Sequence, residues 1–244
     1  MTYCLGMLLE DGLVFAADSR TNAGVDHIAT FRKLTVFERP GERVLVLLSA
    51  GSLATSQSVV SLVSERLGAR KGEDSLFKSR TMFNAARIVG RALREVTDTD
   101  AEHVLAQGAD PGASFILGGQ IKGRAPRLFQ IYGAGNFIEA TPETPYLQIG
   151  ETKYGKPILD RVLSHDTPIP AATKCALLSF DSTMRSNLSV GPPLDVLCYR
   201  GDSLTAKHRF QIAADDPYFT RIRERYGKGI GKLFDGLPEP DWDV

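Results

Sequence analysis

Threonine at position 2 is the residue with the most chemistry open to it in this sequence. It is small enough for the methionine before it to be removed, which would leave Thr2 as the amino terminus. A terminal threonine holds a nucleophile and a base in one residue. Its hydroxyl attacks, and its free α-amine, with an unperturbed pKa of roughly 7.7–8.0, accepts the proton near neutral pH. Lys33, when charged and close, depresses that pKa and offers positive charge to a developing anion. Asp18 closes an apolar run, where a carboxylate needs a cationic partner, and Lys33 can be that partner. Arg20 follows on the same side of an extended chain. Each residue also has a plainer reading: Thr2 as a strand former, Asp18 and Arg20 as a turn ion pair, Lys33 as a solvated surface charge.

These residues need strands to bring them together. Thr2 to Leu9 and Leu13 to Asp18 read as a hairpin turning at Glu10-Asp11-Gly12. After a polar stretch, Ser19 to Thr30, a second strand pair runs over Leu34 to Arg39 and Val44 to Ala50 around Pro40-Gly41-Glu42. Their apolar runs are nearly continuous, which predicts sheets covered on both faces. Helical spacing follows over Ser56 to Leu67 and Thr81 to Val96, then a loop over Asp98 to Gly112. Strands return at Ser114 to Gly118, Arg127 to Tyr132 and Tyr146 to Ile149, and helices at Lys153 to Leu163 and Pro170 to Met184. Leu194 to Tyr199 and Leu204 to Ile212 form a closing strand pair, and Asp215 to Tyr226 a last helix before a Gly- and Pro-containing tail. Strands and helices come in blocks, which excludes a doubly wound parallel fold. Two antiparallel sheets, each covered outside by helices, bury every segment named.

The sequence has 244 residues, 43% hydrophobic and 24% charged, and no composition shift divides it, so one domain is expected. Lys plus Arg and Asp plus Glu both number 29, which removes the electrostatic case for nucleic acid or an anionic membrane as partner and permits self-association. No secretory signal or membrane-length apolar run is visible, and Cys4, Cys175 and Cys198 form no CxxC pair; buried reduced thiols in a cytoplasmic protein are expected. Common motifs fail. Gly133-Ala134-Gly135 lacks the third glycine of a dinucleotide loop and reads as a hairpin turn. Gly227 to Lys232 has the wrong spacing for a phosphate loop, and Ser75-Leu76-Phe77-Lys78 lacks its companion motifs. His27, His103, His165 and His208 make no metal-ligand pattern, and no GxSxG accompanies His165-Asp166. No metal or organic cofactor is expected.

Thr2, Asp18-Ser19-Arg20, Lys33 and Ser49-Ala50-Gly51 together resemble the N-terminal threonine peptidases of the proteasome β-subunit family. The segment from Ile149 to Leu159 and the extended C-terminal part are most similar to the bacterial ancestral β-subunit (Anbu) group. The resemblance covers essentially residues 2 to 244 and implies the four-layer αββα sandwich of N-terminal nucleophile hydrolases, an α/β fold of the α+β kind. By that resemblance the domain spans 2–226, with 227–244 a tail for subunit contacts through Phe234, Leu237 and Trp242. It further implies Thr2 as nucleophile and base, Lys33 tuning the amine, Asp18 orienting Lys33, and the Gly51 N–H as an oxyanion donor. Ser49 and Leu53 would line the first specificity pocket, and Ser189 would hydrogen-bond the terminal amine. The chain departs from the family at Glu151, where serine is typical, and at Ser186, where aspartate is expected, so the network around the amine is altered. The implied protein is a threonine peptidase of peptides or unfolded protein, self-assembled into rings or open helical turns, with any ATPase partner unspecified. Two further readings stay open: an assembly protein without proteolysis, and an amidohydrolase of small amides.

Overall fold

A strand that is apolar along its whole length must be buried on both faces, and period-2 geometry then sends alternate side chains into two different cores. That is the arrangement in the computed structural model, which describes residues 1–22, 28–68 and 74–242. In β1 (Tyr3–Leu9), Tyr3, Leu5, Met7 and Leu9 face one core while Cys4 faces another. In β2 (Gly12–Asp18), Val14 and Ala16 face the first, and Leu13, Phe15 and Ala17 the second. The next hairpin, β3 (Arg20–Asn22) with β4 (Ile28–Thr30), forms a separate two-stranded sheet within the stretch read as polar chain.

β5 (Leu34–Arg39) and β6 (Arg43–Gly51) lead into α1 (Leu53–Glu65) and α2 (Met82–Ala106). β7 (Ala113–Ile121), β8 (Arg127–Ile131), β9 (Phe137–Glu139) and β10 (Tyr146–Gly150) follow. α3 (Lys156–Val162), α4 (Ile169–Ser186), β11 (Leu194–Arg200), β12 (His208–Ile212) and α5 (Pro217–Asp235) complete the chain. Two five-stranded antiparallel sheets result, ordered β10-β1-β2-β11-β12 and β5-β6-β7-β8-β9. One core lies between them, a second between the β5–β9 sheet and α1 and α2, and a third between the other sheet and α3, α4 and α5. The layers are therefore αββα, as expected from the order of elements.

Glycine sets the sheet separation where bulky rings cross it. A Cβ on Gly118 would lie 2.6 Å from Cζ of Phe15, so the ring fills the space that any side chain at 118 would need. Gly133 to Gly135 form the tight connection between β8 and β9, with Gly135 at φ +75° and its N–H donating to the Tyr132 carbonyl. Cys4 and Cys175 are buried and Cys198 half-buried, all as free thiols; burial pushes the thiols of Cys4 and Cys198 up, and that of Cys175 to about 11. Among the described residues, no helix is long and apolar enough to cross a membrane.

Several element boundaries differ from the expectation: β7 runs on to Ile121, β9 is an added short strand, and α3 begins at Lys156 and not Lys153. The loop expected over Asp98 to Gly112 is helix as far as Ala106, because α2 continues into solvent with no buried residue after Val96. α1 begins at Leu53 and not Ser56, since Ser52 caps it by accepting from the Thr55 N–H. The strand expected from Leu204 starts at His208, because Leu204 has φ +46° and turns the chain. α5 runs past Tyr226 to Asp235, helical through Gly227, Gly229 and Gly231, all exposed. Its start is fixed by Asp216, whose carboxylate accepts from the Phe219 N–H, with Pro217 in the first turn.

Phe15→Ala is expected to cost about 3–5 kcal/mol of unfolding free energy, read by chemical denaturation at fixed protein concentration. A loss below about 1 kcal/mol would mean that the two sheets do not pack through this ring.

Candidate active site

Thr2 sits just ahead of β1 and is held through its carbonyl, which accepts from the Glu151 N–H at 2.7 Å. Gly150 passes so close that a Cβ there would lie 2.0 Å from the same oxygen; its φ of +83° also favours glycine. Tyr3 anchors the next position from below. Its amide donates to Asp18 Oδ1 at 2.9 Å, and its phenol meets Ser179 Oγ at 2.7 Å and accepts from Gln148 Nε2 at 2.6 Å.

Asp18 is fully buried, and its Oδ1 also accepts from Lys33 Nζ at 2.8 Å. Burial pushes the Asp18 carboxyl up, while the Lys33 ammonium and the N–H groups of Tyr3 and Gly191 pull it down. Lys33 is 5% exposed and gives a second hydrogen bond, 2.7 Å, to the Arg20 carbonyl. With two of its three donors engaged, one N–H is left for the cavity that it lines.

That cavity encloses about 600 Å³, and Thr2, Lys33, Ser49, Gly51, Leu53 and Gly150 all contribute to its wall. Gly51 ends β6 at φ +103°, and a Cβ there would fall 2.3 Å from the Gly112 carbonyl, so the strand-to-helix corner requires glycine. Met1 lies on the wall too, 64% exposed. The walls therefore join a hydroxyl, a fixed ammonium and a glycine corner around a space large enough for a side chain and its backbone, an arrangement suited to attack on a carbonyl.

The remaining sequence candidates stand around this cavity and not in its wall. Asp18 is behind Lys33. Arg20 turns away, donating to the Leu188 carbonyl at 2.9 Å and lying so close against Gly191 that a Cβ there would meet its Cζ at 2.4 Å. Ser19 fastens the same 187–193 loop, its N–H and hydroxyl both donating to the Pro193 carbonyl. Ser189 belongs to that loop and donates its N–H to Asn187 Oδ1 at 3.0 Å. Glu151 is 8% exposed, and its carboxylate accepts from Asn187 Nδ2 at 2.9 Å. Ser186, the last residue of α4, is exposed.

Other residues in the wall escaped the sequence reading: Arg32, Thr35, Gln57, Val60 and Ser61. Thr35 shares the strand face of Lys33, two residues away. Gln57, Val60 and Ser61 follow Leu53 at helical spacing, a signal hidden by starting the helix at Ser56. Asn187 opens a formal glycosylation sequon, Asn187-Leu188-Ser189, and nothing in that motif points to the two bonds that its side chain makes. Among the described residues, no three His, Cys, Asp or Glu side chains gather as a metal site; His27 lies outside the described residues.

No family model and no curated protein sequence matches the chain. Solved structures do. The Anbu (ancestral β-subunit) protein from Yersinia bercovieri is 53% identical with a TM-score of 0.92, each chain covered over 100%. Anbu from Hyphomicrobium sp. strain MC1 is 50% identical with a TM-score of 0.92, over 99% of this chain and 100% of that one. The Anbu complex from Pseudomonas aeruginosa, described as a helical assembly, is 54% identical with a TM-score of 0.92 over 98% of both chains.

Lys33→Met leaves the Asp18 carboxylate buried without its cation and is expected to cost about 3–5 kcal/mol near neutral pH. Adding Asp18→Asn should recover part of that loss. Burial holds the folded carboxyl above its ordinary value of about 3.9. Below that value both states are protonated and the Asp18 contribution to the deficit vanishes; it grows as pH rises and the unfolded chain ionises first. Urea titrations at acidic and neutral pH check this, and a pH-independent deficit unaffected by Asp18→Asn would contradict it.

Proposed function

The chain belongs to the ancestral β-subunit (Anbu) family, and on that footing we propose that it is a threonine-type peptidase acting within a homo-oligomer. The carrying observation is that Thr2 shares one cavity with Lys33, whose ammonium is fixed by buried Asp18. While Met1 is attached, the Thr2 nitrogen is an amide and cannot serve as a base. Its removal frees the amine and clears one residue from the cavity wall.

The Thr2 hydroxyl then attacks a peptide carbonyl, and the amine takes the hydroxyl proton, a form of base catalysis that contributes about 10²–10⁴ in rate. The Gly51 N–H stabilises the oxyanion, a contribution of about 10²–10³, and Lys33 adds positive charge. Collapse breaks the C–N bond, the ammonium returns its proton to the departing amine, and an ester to Thr2 remains. Water attacks that ester with the same amine as base, releasing the acid and restoring the hydroxyl. Peptides or unfolded segments are the proposed substrates. Ser49, Leu53 and Thr35 suit a modest side chain at the first pocket.

Intact-protein mass spectrometry with a threonine-directed epoxyketone or β-lactone tests this reading. Loss of Met1 and one adduct per chain are expected, with no adduct in Thr2→Ala and peptide cleavage reduced by about 10³-fold or more in that variant. A retained methionine, or equal labelling of the variant, would overturn it.

Self-association is proposed to use the exposed end of α5 and the tail beyond, where Leu233, Phe234, Leu237 and Trp242 are unburied. The helical assembly of the Pseudomonas relative supports a second copy as the occupant. Removing residues 227–244 should lower the native mass measured by light scattering, and an unchanged mass would refute this role.

A further inference from the structure

The geometry points to Asn187 and Glu151 as a positioning pair that sets the basicity of the Thr2 amine, an inference that rests on the function just proposed. Residue 151 holds Thr2 by its backbone N–H, at 2.7 Å from the Thr2 carbonyl, so its side chain departs from the segment bonded to the residue that would become the terminus. That carboxylate is nearly buried, and a buried carboxylate needs donors. Asn187 Nδ2 supplies one to Oε2 at 2.9 Å. Lys153 Nζ stands 3.8 Å from Oε1, but its side chain is 69% exposed, so solvent screens much of its effect.

The orientation of Asn187 is fixed from both ends. Its Nδ2 donates to Glu151 while its Oδ1 accepts from the Ser189 N–H at 3.0 Å. Reversing the amide would set oxygen against carboxylate and NH₂ against N–H, losing both bonds. One side chain thus ties the segment that holds Thr2 to the loop that carries Ser189 and packs Gly191 against Arg20.

The charges around Thr2 divide by sign. Lys33 and Arg32 line the same cavity, and their positive charge lowers an amine's pKa, buried Lys33 more than exposed, solvent-screened Arg32. Asp18 answers Lys33 directly, and the Arg20 guanidinium is directed to the Leu188 carbonyl. Glu151, held by Asn187 and weakly neutralised by Lys153, is the carboxylate on the β10 side. Its negative charge favours the ammonium form and opposes the two cations, keeping the amine basic enough to take the threonine proton.

The test is the pH dependence of probe labelling at Thr2 in the processed full chain, alongside intact mass. Glu151→Gln keeps an acceptor for Asn187 and removes the charge. Its acid limb should move to lower pH by about 0.5–1 unit, or about 3–10-fold faster labelling on that limb. Asn187→Asp adds a negative charge beside Glu151 and should move the limb the other way. Lys153→Met, altering only an exposed side chain, should also move it upward and serves if the buried variants fail to fold. Wild-type protein that takes no label would overturn the peptidase reading and this inference with it. A labelled wild type whose limb coincides with those of Glu151→Gln and Lys153→Met would overturn the positioning pair alone.

Discussion

The buried Asp18 carboxylate is the constraint around which the rest of this molecule is arranged. It lies at the end of β2 with no exposed surface, and a charge in that position persists only with partners. Lys33 reaches it from the chain ahead of β5, so one ion pair joins strands of opposite sheets. The Tyr3 N–H reaches it from β1, which registers the start of the chain against the same oxygen. Ser19 and Arg20, the next two residues, then hold the 187–193 loop. Both sheets and the loop thus meet at a single side chain, and Thr2 takes its place from them.

The polar shell around the site divides between walls and supports. Lys33, Ser49 and Gly51 face the cavity directly. Asn187, Ser19 and Arg20 act at one remove, Asn187 on the residue whose N–H holds Thr2 and the other two on the 187–193 loop. Glu151 puts a nearly buried carboxylate beside the segment that holds Thr2, and Asn187 meets it with one donated bond. Ser186 stays in solvent at the end of α4, outside the cavity wall.

The layered architecture was legible because burial writes itself into sequence. Strands β1, β2 and β6 are buried on both faces, and their apolar runs are legible almost to the residue. What escaped was whatever lacks a buried face. The second half of α2 has no buried residue after Val96, and α5 beyond Tyr226 has none either, so the burial that marks the other helices is missing there. Three exposed glycines in α5 weigh further against a helix by propensity. In the site, Thr2, Asp18 and Lys33 were readable from their chemistry, and Gly51, Ser49 and Leu53 from resemblance. The helix face of Gln57, Val60 and Ser61 was lost to a boundary error of three residues at Ser56, and Asn187 is visible only in three dimensions.

Chain ends are ordinarily the first parts of a domain to fray. Here β1 is paired on both sides from Tyr3 onward, to β10 through Gly150 and to β2 through Ala17 opposite Cys4. Even the Thr2 carbonyl, one residue before the strand, is hydrogen-bonded. Paired along both edges and buried, β1 is expected to release its amide protons to exchange only on global opening. Residue 2 thus combines a backbone carbonyl fixed by a hydrogen bond with a place on the cavity wall.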